Sequence, residues 1–393
     1  MRLTPETHDT LARQGLQPGS ALRGITLRGT LAWRGKVSRQ AILERLGALD
    51  LQTVVHLASG HDATGPWLRL WLDETVARCW APGFDTTALA TVLGLRTRHR
   101  AVDLDREILV TMLMTPAGYD FPSLDELESA IRIRRNIVCA AARTTLAFDT
   151  QAAERPQDCW TYQEGKGFTL LPGVALTDAL IKSTQPEVSG CLYSFSCYRA
   201  TEYVTLLGIA QELTHSNPEL LEQLQALWRQ RAIVSGEFHE VFLREQGSMQ
   251  EPVPPLYYVP GDRVWFRNPD EASADACGFE GSWVIYLGGG QFTNFWKHKQ
   301  PYSLTEKCVE IYHWRHGLYR DAQGTAQIDE EHIKPLIAAT LADPDQLSRV
   351  MVRLTRWREP RGVYTDAGGC MDTTREFSRW VRPGTTDMAI PQS

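Results

Sequence analysis

Apolar and polar positions alternate or recur along this chain in ways that predict most of its elements. "ITLRGTLAWRG" (residues 25–35) alternates like a half-buried strand. "SRQAILERLGALD" (38–50) has helical spacing behind a serine cap and meets a glycine near its end. "LQTVVHLASG" (51–60) and "PWLRLWLD" (66–73) read as strands, so the first hundred residues predict a small α+β unit. A boundary is expected near residues 100–118.

The helix beginning "SLDELESAIRIRRN" at Ser123 has a serine cap and Glu126 at the capping-box position. Leu124, Leu127, Ile131, Ile137 and Ala141 give it one apolar face. Arg132, Arg134 and Arg135 on the same segment are expected on a solvated face. "CWTYQEGKGFTLLPG" (159–173) predicts a hairpin turning at "EGKG", and "VALTDALIKSTQPE" (174–187) a short helix. A second capped amphipathic helix follows in "SNPELLEQLQALWRQRAIV" (216–234). Past Pro252, Pro254 and Pro255 the aromatic runs "RVWFRNP", "GSWVIYLGGGQFTNFWKH" and "VEIYHWRHGLYR" predict strands. Residues 330–358 read as helical, and the Gly-, Thr- and Pro-rich end from about residue 360 reads as a loose tail, as do the first twenty residues.

Between the hairpin and the second helix lies "GCLYSFSCYRATEYVTLLGIAQEL" (190–213), where a short aromatic strand turns into a helix at Cys197. A thiol there has two readings. Cysteine packs well as a small buried apolar residue. At a helix N-terminus it also sits at the positive end of the macrodipole, which favours the thiolate. Partners for a nucleophilic thiol are available downstream in Glu280, His298, His313 and His316.

Composition narrows the class. The 393 residues exceed one small core, and 43% hydrophobic with 22% charged residues is ordinary for a globular protein. A net charge of −6 argues against a nucleic-acid groove. No apolar run is long enough to span a bilayer, and the N-terminus lacks a secretory h-region, so the expectation is a cytoplasmic protein, unless a non-Sec machine exports it. Eight scattered cysteines without a C-x-x-C pair predict neither a zinc ribbon nor a disulfide framework. The run Gly288–Gly290 lacks the phosphate-loop pattern and predicts a tight turn. His313 and His316, on an expected strand, would point to opposite faces and hold no metal. Trp265, Trp283 and Trp296 are expected in the core or lining a cleft.

Four stretches, "SLDELESAIRIRRN", "LYSFSCYRAT", "PPLYYVPGDRVWFRNPD" and "GSWVIYLGGGQFTNF", occur in an order and at a spacing that resemble the spore-associated protein-glutamine gamma-glutamyltransferases of bacilli. The resemblance covers roughly residues 104–345. It implies an α+β fold with a papain-like, NlpC/P60-like core, in which a cysteine-bearing helix packs on an antiparallel sheet. The implied division is 1–103 as an accessory α+β unit, 104–350 as the catalytic core and 351–393 as a partly flexible extension. The implied activity is acyl transfer at protein glutamine side chains, cross-linking them to lysine amines or deamidating them through a thioester on Cys197. It implies protein substrates bearing glutamine and lysine, no nucleic acid or membrane insertion, no cofactor and no metal.

The family's other site positions fall here on Ser196 and Ser282, where it has glutamates, and on Phe295, where it has a histidine. Glu280 and His298 are the nearest replacements. Glu280 shares a strand face with Ser282, about 6.6 Å away along an extended chain. His298 needs a bulge or loop to turn inward. Trp283, Trp296 and Tyr198 are the expected substrate-binding residues. Two alternatives stay open: a binding scaffold that has lost activity, and an NlpC/P60-type amide hydrolase or toxin effector.

Overall fold

A computed structural model describes residues 22–28, 36–148, 153–359 and 368–391. The first twenty residues, expected to be loose, lie outside the described residues. The first sheet contains β1 (Ile25–Arg28), β2 (Val55–Asp62), β3 (Gly65–Leu72) and β4 (Tyr119–Phe121), in the order β2-β3-β1-β4. Leu68, Leu70 and Leu72 of β3 face the core while the residues between them are half-exposed, as the alternation predicts. Two small pairs follow. β5 (Ala147–Phe148) runs parallel to β8 (Ser194–Phe195), and β6 (Trp160–Gln163) pairs with β7 (Gly167–Leu170) across the expected hairpin turn.

The larger sheet holds β9 (Leu243–Gln246), β10 (Arg263–Arg267), β11 (Gly281–Gly288), β12 (Gln291–Phe292), β13 (Tyr302–Ser303) and, beyond a small hairpin of β14 (Leu318–Arg320) and β15 (Ala326–Ile328), β16 (Arg375–Ser378). Its order is β13-β12-β11-β10-β16-β9, and every pairing in it is antiparallel. β11 is buried on both faces. Ile285 and Leu287 join one apolar cluster, while Val284 and Tyr286 join a second. This period-two division places helices on both sides of the sheet.

On the first side lies the Cys197–Ser216 helix, buried around most of its circumference, with Glu202 and Glu212 among its buried residues. It packs on the Leu124–Arg143 helix. A Cβ on Gly208 would come within 2.5 Å of Ile137, so glycine permits that close approach. The first cluster extends from Leu22 to Met388 and includes residues of the N-terminal sheet, so that unit shares its core with the rest of the chain.

Four sequence expectations differ. Residues 304–317 form a helix, not part of a strand. Ser303 caps it and Glu306 closes the capping box, a start signal that the aromatic residues after it obscured. Residues 375–378 form a strand inserted between β9 and β10, where a loose tail was expected. Ser123 caps its helix by accepting from the Glu126 N–H, but the Glu126 carboxylate instead receives the Val381 and Arg382 N–H groups and the Thr385 hydroxyl. Finally, Arg134 is not solvated. It is buried against Asp262 at 2.7 Å, while Arg132 pairs with Glu212 and Arg135 with Asp105.

Candidate active site

Cys197 is the first residue of its helix, as the sequence predicts. The chain arrives extended from β8. Ser196 caps the helix, its hydroxyl accepting from the Arg199 N–H at 3.2 Å. That leaves the thiol half-buried beside the start of β11. Burial pushes the Cys197 pKa up. Three influences act against burial: the Trp283 backbone N–H, the positive charge of Lys307 and the Tyr198 backbone N–H. The negative charge of Glu280 adds to the upward shift.

Lys307 was not a sequence candidate. It is buried and forms an ion pair with Glu310 at 2.8 Å, one helical turn on. Its ammonium also lies 4.5 Å from the centre of the Tyr302 ring. Burial opposes its charge, but Glu310 and Tyr302 outweigh that and hold its pKa above the ordinary lysine value. Tyr302 in turn hydrogen-bonds Ser282. The helix misread as strand is what conceals this arrangement, because only a helix capped at Ser303 turns Lys307 inward.

On the other flank, Tyr198 meets Trp283 edge to face at 5.1 Å, and Trp283 stacks on Trp265 at 5.7 Å. The Arg263 guanidinium lies over both Trp283 (3.9 Å) and Tyr198 (4.4 Å). Trp265 and Trp283 line a cleft of about 380 Å³ with Arg263, Glu245 and Glu376. Trp296 is partly buried against the core and contacts Phe295, apart from this aromatic pair.

The match that decides the family spans residues 90–389, which fit protein-glutamine gamma-glutamyltransferase. The chain belongs to that family. It is an enzyme of the transglutaminase kind, with protein glutamine and lysine side chains as its substrate class. Among solved structures it is similar to the transglutaminase of Geobacillus stearothermophilus without its C-terminal extension. Identity is 19% and the TM-score 0.36, over 58% of this chain and 98% of that one. A comparison with the curated proteins gave no match.

This transglutaminase brings together some of the expected residues and separates others. Cys197, Tyr198 and Trp283 meet. Glu280 is exposed and acts on the thiol through its charge. His298 lies elsewhere: its Nδ1 is 3.0 Å from the Thr145 hydroxyl and its Nε2 3.7 Å from Glu187. No bulge turns it inward. Phe295, the family's histidine position, is buried, and its carbonyl accepts from the Leu146 N–H. His313 and His316 lie on one face of the Leu304–Gly317 helix, their Nδ1 atoms 2.9 Å apart, rather than on opposite faces of a strand. Burial and the neighbouring cations hold His313 down at about 4.

Among the described residues, His239, Glu245 and Glu376 bring ligand atoms within 4.8 Å of one another. Glu376 is already engaged by His239 at 3.2 Å and by Arg263. No described helix is long and apolar enough to cross a membrane.

Proposed function

We propose that this transglutaminase acts through a thioester on Cys197, within a papain-like arrangement of helix and sheet. One observation carries the reading. The thiol begins a buried helix at a half-buried position, and two backbone N–H groups and a buried lysine charge act on it. These are the means by which a protein stabilises a thiolate and the oxyanion formed when it attacks.

The sulfur attacks the γ-carbonyl carbon of a substrate glutamine. As the tetrahedral intermediate collapses, the C–N bond breaks and ammonia leaves, carrying the proton that the thiol gave up. The thioester is then attacked by the neutral amine of a lysine. The C–S bond breaks, an isopeptide forms, and the thiol regains a proton from the amine. Water in place of the amine gives glutamate.

Here Ser282, Tyr302 and Lys307 replace the family's carboxylate at Ser282 with a hydroxyl pair and a fixed positive charge. A fixed cation stabilises a thiolate but accepts no proton. Glu280 is the carboxylate whose charge reaches the thiol, and it takes the proton in this reading. His298 has no part in it.

The test follows a fluorescent primary amine into casein while ammonia is measured in parallel. Incorporation lost in Cys197→Ala is the expected result. Ammonia without incorporation would make the enzyme a deamidase. Full activity in Cys197→Ala would overturn the reading.

A further inference from the structure

A second cavity of about 470 Å³ adjoins Ser196, the residue before the proposed nucleophile. Arg155, Lys166, Arg199, Phe168, Tyr203 and Trp228 are on its wall. Its charge is unbalanced. Arg199 is paired with Glu202 at 2.7 Å. Arg155 is only 7% exposed, yet no described carboxylate pairs with it. It lies instead over the rings of Phe195 (3.5 Å), Tyr203 (4.6 Å) and Phe168 (4.9 Å), and it donates to the carbonyls of Glu154 and Ser194. Lys166, on the hairpin turn between β6 and β7, is exposed and has no described ion pair.

An uncompensated guanidinium and a nearby ammonium on the wall of one cavity call for an anionic acceptor. A carboxylate supplies the charge and the lone pairs together.

We propose that this cavity binds the carboxylate of an aspartate or glutamate near the reactive glutamine, and so selects acyl-donor proteins with an acidic residue beside the target. The identity of the bound chain as acyl donor rests on the thioester reading of Cys197. An extended donor with its glutamine at Cys197 passes Ser196 and enters the cavity, where the aromatic walls pack the stem of the acidic side chain.

The test uses the full-length enzyme and peptides with one glutamine, each made with a glutamate or an alanine moved through the neighbouring positions. At low salt, the best acidic peptide should exceed its alanine counterpart roughly tenfold or more in kcat/KM, the value of one charged hydrogen bond. Arg155→Met and Lys166→Glu should each shrink that ratio. Lys166→Glu alters only an exposed turn, so it reports even where Arg155→Met fails to fold. In parallel, the anisotropy of labelled peptides measures binding to Cys197→Ala.

Equal rates and equal binding for acidic and neutral peptides would overturn the inference and leave the thioester reading standing. Preferential binding of the acidic peptide that Lys166→Glu abolishes, in an enzyme that turns over neither peptide, would support the cavity and count against the thioester reading.

Discussion

Two buried cations of this molecule invite comparison. Arg134 lies on the Leu124–Arg143 helix and Lys307 on the Leu304–Gly317 helix, and burial opposes the charge of both. Arg134 is enclosed: Asp262 sits at 2.7 Å, the carbonyls of Val259 and Pro260 accept from it, and its partner carboxylate has no exposure. Lys307 is held by Glu310, which is 39% exposed, and by one face of Tyr302. The first cation is tied to the backbone of a turn and joins a helix to the sheet. The second leaves its field free to act on Cys197. In the thioester reading proposed above, similar chemistry serves architecture in one place and reactivity in the other, and the exposure of the partner separates them.

Removing each side chain tests the distinction. The reference is Cys197→Ala, which should lose amine incorporation to background while its thermal unfolding stays close to wild type. Arg134→Met should then show the largest stability effect, about 3–5 kcal/mol by denaturant titration, because it leaves the buried Asp262 carboxylate without a counter-charge and with only the Val259 N–H as donor. Lys307→Met should cost under about 1 kcal/mol, since Glu310 returns to solvent. It should nevertheless lower amine incorporation at neutral pH about tenfold or more, because the cation that favours the thiolate is gone. A large stability loss in Lys307→Met would erase the distinction.

The pH dependence sharpens it further. Burial raises the Cys197 pKa, so alkylation by iodoacetamide should keep climbing as pH rises past the ordinary thiol value of about 8.5. In Lys307→Met the curve should move to still higher pH, and in Glu280→Gln slightly lower, because the Glu280 charge disfavours the thiolate. Curves that superimpose would remove Lys307 from the site. A smaller effect belongs to His239. Its partner Glu376 raises its pKa, so the stability it adds is complete below about pH 6.5 and is lost as pH rises through the raised value. Its ring resonances in NMR should therefore titrate above the ordinary histidine value of about 6.5. His298→Ala should leave amine incorporation unchanged.

Much of this was legible in the sequence, for reasons particular residues make plain. Ser123, the alternation in β3 and the EGKG turn each carry a local signal that tertiary contacts reinforce. Cys197 was legible because strand, cap and helix meet at one residue. Lys307 was not, because the apolar and aromatic residues after it suit a strand as well as a helix buried on several sides, and the capping box at Ser303 was the signal that separated them. Arg134 was hidden by its neighbours: three arginines in four residues suggest solvent, while their partners Asp262, Glu212 and Asp105 lie 30 to 128 positions away. β16 was missed because four residues in a Gly- and Thr-rich segment carry no period of their own. Its strand character comes from the two neighbours waiting for it.

That last feature bears on how the protein is made. β9 and β10 have left the ribosome more than a hundred residues before the strand that fits between them, and until then each presents an open edge. Glu376, on the late strand, also anchors Arg263, whose guanidinium lies over Tyr198 and Trp283 beside the thiol. The nascent chain thus carries its cysteine long before it has the residue that fixes the flank of the site.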